Sequence, residues 1–190
     1  MTILVDSVLL SGKHSIRAAH RCNRVGLRGR PAWMIKHAAA EIGASRRRVA
    51  PLVVIGIGYN SLFQRHRRRY AYWARRWDRE AAWLLRTLRR KGARQFVWVT
   101  LREPTPRTVP RRSIGELRYY SWYFPYVNER LRRLDRRRDD VTLANWTKAG
   151  DRNGITYDSI HLNASGGPLM ARTIKRAIRR EARRQARPRR

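Results

Sequence analysis

The segment PLVVIGIG, residues 51–58, decides the fold. Its apolar residues run on without the polar alternation of a strand that has one wet face, so both faces of this strand must be covered. QFVWVTL, residues 95–101, has the same character. Strands of this kind belong to parallel sheets flanked by helices. Outward from this pair, TILVD (2–6) supplies a first strand, CNRVG (22–26) a short second one and DVTLANW (140–146) a fifth.

Helical patterns separate the strands. One helix begins a few residues after Ser7, and another opens at Pro31 and closes at Gly43, covering about 31–44. Tyr70, Trp73, Trp77, Ala81, Leu84 and Leu88 step by three and four, which predicts an amphipathic helix over 68–91, stopped by Gly92. Val127, Leu131 and Leu134 continue such a pattern from a first turn near Pro125. Met170, Ile174 and Ile178 mark a last helix with Ser165 as its N-cap. Residues 103–115, with three prolines, read as a surface loop. The alternation predicts a three-layer α/β/α sandwich around a five-stranded parallel sheet of the flavodoxin-like kind. It forms a single domain over 1–182, followed by a frayed basic tail, RRQARPRR, at 183–190.

Lys and Arg total 45 against 13 acidic residues, a formal charge of +32 in 190 residues. The potential over the surface is therefore positive, and an anionic partner is expected: nucleic acid, an anionic lipid surface or an acidic polysaccharide. An apolar content of 42%, with seven Trp and eight Tyr, excludes a disordered basic tail protein. Cys22, the single cysteine, permits no intrachain disulfide and reads as a small buried hydrophobe. The opening MTILVDSVLL carries an Asp inside a short apolar run and lacks the form of a secretion signal, and no stretch reaches the roughly 18 apolar residues of a membrane span. The default expectation is a cytoplasmic protein, with peripheral membrane association left open by the charge.

In sheets of this kind, ligands bind beyond the carboxyl ends of the strands. Three polar signals fall there. Asp6-Ser7 follows the first strand directly, where a hydroxyl would stand at the sheet edge; the plain alternative is a turn with a helix cap. Asn60, in GYNS after the third strand, offers an amide donor for a developing oxyanion, although Asn beside Gly is also ordinary turn chemistry. Asp158 and His161 lie before the last helix, spaced so that the carboxylate reaches Nδ1 of the imidazole while Nε2 faces outward toward a serine. Local capping would explain that pair equally well in isolation. Taken together, the three supply the nucleophile, amide donor and acid–histidine pair that acyl transfer requires.

VDSVLLSG, GLRGRPA, GIGYNS and DSIHLNASGG resemble, in order and approximate spacing, the four blocks of the SGNH hydrolases, also called GDSL esterases. The segment VWVTLREPT is similar to the fourth strand and following loop of actinobacterial members, including those found beside membrane acyltransferases. The resemblance implies Ser7 as nucleophile, His161 as general base and Asp158 as its orienting partner. It also implies an oxyanion hole made of the Ser7 and Gly29 backbone amides and the Asn60 side chain, with Gly26 close enough in sequence to compete with Gly29. No metal or cofactor is implied. The implied activity is a serine esterase cleaving O-acyl esters, O-acetyl esters among them, with acylated carbohydrate as a candidate substrate. Two positions depart from the pattern: Val5 stands where glycine precedes Asp-Ser, and Ser61 where an Asp follows the block-three Asn. Either is compatible with a degenerate member. The alternative from another class is a non-enzymatic basic protein that binds nucleic acid or an anionic surface, with Arg and Lys on phosphates and Tyr70, Trp73 or Trp77 stacking on bases.

Overall fold

The computed structural model describes residues 1–21, 24–61 and 67–186. Five strands form one parallel sheet: β1 (Thr2–Val5), β2 (Gly26–Gly29), β3 (Leu52–Gly56), β4 (Gln95–Val99) and β5 (Val141–Ala144), in the order β2-β1-β3-β4-β5. This is the expected flavodoxin-like order. Register is continuous across the middle of the sheet, with Val5 level with Gly56 on one side and Gly29 on the other. β3 and β4 are the runs that read as doubly covered, and Val53, Val54, Ile55, Phe96, Val97 and Trp98 are all fully buried.

Among the described residues there are eight α-helices: α1 (Ser7–Ser11), α2 (Lys13–Ala19), α3 (Ile35–Ala44), α4 (Tyr70–Arg90), α5 (Leu117–Tyr120), α6 (Tyr123–Arg137), α7 (Trp146–Ala149) and α8 (Gly166–Gln185). On one side α3 packs against α4, with α6 against α4 and β5. On the other, α2 packs against α8, which covers β4 and β5. The stripe predicted for α4 is the buried one: Trp73, Trp77, Ala81, Leu84 and Leu88 all face the core, and the Trp77 ring meets Trp98 of β4 at 5.7 Å between centroids. Burying each such large side chain contributes about 1.5–3 kcal/mol relative to exposure.

Several boundaries differ from the sequence reading. β2 is Gly26–Gly29 rather than 22–26, and Cys22 lies outside the described residues. This strand sits at the sheet edge, where one open side relaxes the demand for apolar residues, and a glycine at each end hides its propensity. The helix expected from Pro31 begins at Ile35, because Ala32 adopts a left-handed φ of 57° that no helix tolerates. A helix begins at Ser7 itself, capped by the Asp6 side chain. The proline-rich loop ends in a 3₁₀ turn at Arg111–Glu116. β5 stops at Ala144, since Asn145 turns the chain and caps α7 by accepting from the Lys148 amide. Ser165 makes no side-chain cap; Asn163 Oδ1 accepts instead from the amides of Ser165 (3.0 Å) and Gly166 (3.1 Å). Finally, α8 continues through Gln185, past the start of the expected tail, and 187–190 lie outside the described residues.

With cations outnumbering acids more than threefold, arginines also bond backbone carbonyls. Arg180 donates to Leu143 O, and Arg184 donates to Asp139 O and, at 3.5 Å, to Val141 O. These guanidinium groups cover the open carbonyl edge of β5, a row that would otherwise invite pairing with another chain. Among the described residues no helix is long and apolar enough to cross a membrane.

Candidate active site

β1 delivers Asp6 and Ser7 to the carboxyl edge of the sheet. The Asp6 carboxylate is fully buried and accepts from Val8 N (3.1 Å), Gly58 N (3.3 Å) and Tyr59 N (3.4 Å). One side chain thus caps α1, fixing Ser7 as the first helical residue, and ties the turn after β3 to it. Burial pushes the Asp6 carboxyl up to about 7, against the opposing pull of those amides. The bland reading of Asp6 as a helix cap is therefore correct, and the same cap sets the place of Ser7.

The chain between α7 and α8 folds into a tight loop closed by a bridge between Thr156 and Leu162, with Tyr157 N donating to His161 O and Asn163 N to Ile155 O, both at 3.1 Å. Asp158 and His161 sit on it. Asp158 Oδ1 accepts from the amides of Ile160 (2.8 Å) and His161 (2.7 Å), while Oδ2 lies 2.7 Å from His161 Nδ1. On its far side, His161 Nε2 is 2.9 Å from Ser7 Oγ. Burial raises the Asp158 carboxyl, but the bonds from the His161 ring and the two amides outweigh it and hold the group below its usual range. An ionised acceptor at Oδ2 requires a proton on Nδ1, which leaves Nε2 free to accept from the Ser7 hydroxyl. The hydrogen bond to Asp158, opposed by burial, raises the His161 pKa above its ordinary 6.5.

The remaining predicted residues divide by position. Gly29 is the last residue of β2, level with Val5 and so beside the Asp6-Ser7 turn. Gly26 pairs with Thr2 at the opposite end of the strand. Gly29 has φ +146°, and a Cβ there would come within 1.9 Å of Val5 O, so no other residue fits. Asn60 follows the turn that Asp6 holds, and its Nδ2 is buried with no partner among the described residues. A buried amide left unpaired costs free energy unless a ligand completes it. The Ser7 amide is the first of α1, a class of donor that has no acceptor within its own helix. The two departures from the family pattern lie apart: Val5 is fully buried with Cγ2 toward Gly29, and Ser61 Oγ is buried with no partner among the described residues.

Sequence reading missed two contributors. Ser11 Oγ accepts from Leu162 N at 2.8 Å and donates to Val8 O at 2.6 Å, which stitches α1 to the residue after His161. Its only signal was a spacing of one helical turn from Ser7. Arg102, three residues beyond β4, is fully buried against the acid–histidine loop; in sequence it was one arginine among many. Of the aromatic residues considered for base stacking, the Tyr70 side chain lies outside the described residues, and Trp73 and Trp77 are buried in the core. Burial leaves neither ring face free for a base.

Solved structures share this architecture. The C-terminal catalytic domain of Streptococcus pneumoniae peptidoglycan O-acetyltransferase A matches with a TM-score of 0.68 at 16% identity, over 96% of this chain and 93% of that one. A GDSL-like lipase from Bacteroides thetaiotaomicron matches with a TM-score of 0.69 at 14% identity, over 94% and 87%. This is the SGNH, or GDSL-type, hydrolase fold. An acetyl xylan esterase shares it, with a TM-score of 0.66 at 13% identity over 94% of this chain and all of that one. At such identities the likeness to SGNH proteins is one of fold. No family profile matches the chain, and no curated protein matches it by sequence.

Proposed function

We propose that the chain is a serine esterase of the SGNH type. The observation that carries this reading is the unbroken line Ser7 Oγ–His161 Nε2 at 2.9 Å and His161 Nδ1–Asp158 Oδ2 at 2.7 Å, joining residues from opposite ends of the sequence at the edge where such folds bind ligands. Ser7 attacks an ester carbonyl while His161 takes its proton. The oxyanion is held by the amides of Ser7 and Gly29 and by Asn60 Nδ2. His161, now protonated, gives its proton to the leaving alcohol, and water, deprotonated by the same imidazole, releases the acyl group. The substrates are acyl esters, with O-acetylated carbohydrate the class to test first, since two proteins of this fold are named for acetyl transfer to peptidoglycan and for acetyl xylan. The positive surface suits an anionic carrier of the ester. Kinship with actinobacterial members rests on VWVTLREPT alone.

The test is covalent labelling by a fluorophosphonate, located by mass spectrometry, followed by turnover of nitrophenyl esters from acetyl to octanoyl. An adduct on Ser7 is expected; no adduct, together with no turnover of any ester, defeats the reading. The imidazole must be neutral to act as base, so kcat/KM falls as pH drops through the His161 midpoint, which lies above 6.5. Asp6 titrates near 7 in the same window, so the His161 midpoint is read separately from its ring-proton NMR shift. An acidic limb that does not track that shift contradicts the assigned base.

Asn60→Ala removes one oxyanion donor and leaves the turn intact, because Asp6 holds that turn through backbone amides. Turnover should fall by about 10²- to 10³-fold with the melting temperature unchanged. A loss below about threefold takes Asn60 out of the oxyanion hole.

A further inference from the structure

Arg102 has no bonded carboxylate among the described residues, although it is fully buried. A guanidinium has five N–H donors, and here five neutral acceptors meet it. Nε donates to Gly150 O at 2.8 Å. Nη1 donates to Ser159 O at 2.7 Å and to Thr156 Oγ1 at 3.0 Å. Nη2 donates to Arg152 O at 3.0 Å and to Thr108 O. The backbone of Arg102 is itself fixed, its amide donating to Tyr59 Oη at 2.8 Å.

Three of these acceptors are carbonyls that ordinary secondary structure does not use, in the irregular chain from 150 to 159. Of the other two, Thr156 Oγ1 lies two residues before Asp158 and Thr108 O belongs to the proline-rich loop. Thr156 Oγ1 accepts from Arg102 and donates in turn to Asp158 O at 2.7 Å. Ser159, on the other side of Asp158, gives its carbonyl to Arg102 and its hydroxyl to Glu116 Oε2 at 2.6 Å. Irregular chain of this length has no ladder beyond the Thr156–Leu162 bridge to hold it, and burying a charge is costly unless every donor is satisfied. A fully coordinated guanidinium meets both conditions at once and fixes the backbone on each side of the acid.

We propose that Arg102 is a positioning residue, clamping the loop of Asp158 and His161 from beneath so that the imidazole stays within reach of Ser7. The proposal rests on the esterase reading for its kinetic consequence, though its structural consequence stands alone. A shift of the reacting groups by about 1 Å costs on the order of 10²-fold in rate. Lysine at this position keeps the charge but has three donors on one atom, which cannot span acceptors arranged around a planar fork.

Arg102→Lys and Arg102→Met are compared with the parent by hydrogen exchange, ester kinetics and the pH profile. The expected result is selective loss of protection at the Ile160 and His161 amides, which bond Asp158, with β1, β3 and β4 still protected. kcat should fall about 10²-fold at unchanged KM, with the acidic limb moved down toward the ordinary histidine value as the bond to Asp158 loosens. In Arg102→Gly, added guanidinium ion should restore part of the rate. Protection at Ile160 and His161 equal to the parent's overturns the proposal, as does loss spread evenly over the sheet, which would make Arg102 a general stabiliser. If the parent itself shows no esterase activity, the exchange comparison alone decides for or against the clamp.

Discussion

Ser7→Ala should abolish covalent labelling and lower ester turnover by about 10⁶-fold, the loss typical when a triad nucleophile is removed. The magnitude follows from the role: without the hydroxyl no acyl-enzyme forms, and only the oxyanion donors and binding remain to assist water. The fold should be indifferent to the change. Among the described residues the Ser7 hydroxyl bonds His161 alone, and the capping bonds to Asp6 come from backbone amides that alanine keeps. Alanine at the first position of α1 is also a good helix former. Circular dichroism and melting should match the parent, so lost rate reports chemistry. If the alanine variant turns over ester at the parental rate, or still takes up the probe, the nucleophile lies elsewhere.

Asp158→Asn should give the second large effect, about 10⁴-fold in kcat, through a change of tautomer. Asparagine is nearly isosteric, and its Oδ1 continues to accept from the amides of Ile160 and His161, so the loop keeps its shape. The group facing His161 Nδ1 becomes an N–H donor. The imidazole answers by placing its proton on Nε2, where it faces the Ser7 hydroxyl as a donor and cannot receive the proton. Ring-nitrogen NMR should show that exchange directly. Activity within tenfold of the parent would mean that Asp158 contributes little beyond its loop bonds.

The sheet was legible because its central strands are covered on both faces, so burial wrote itself into unbroken apolar runs at 51–58 and 95–101. The edge strand β2 was not, because an exposed pair of glycines around Leu27 and Arg28 carries neither alternation nor propensity. α5 and α7, four residues each, are too short to show a helical period. Within the site, Ser7, Asn60, Asp158 and His161 stood out as polar residues after apolar strands, and the structure brings Ser7, Asp158 and His161 into one bonded line. Ser11 and Arg102 were invisible for a different reason. Each acts on backbone amides or carbonyls of a segment distant in sequence, and nothing in residue type announces such a partner.

The hydroxyl that ends the first strand and the imidazole before the last helix are 154 positions apart along the chain. On the esterase reading, no amino-terminal fragment that lacks His161 should own a reactive serine, however well its first strands assemble. A nascent polypeptide should stay inert until the loop of His161 docks, and the appearance of probe-reactive serine during refolding should time that event.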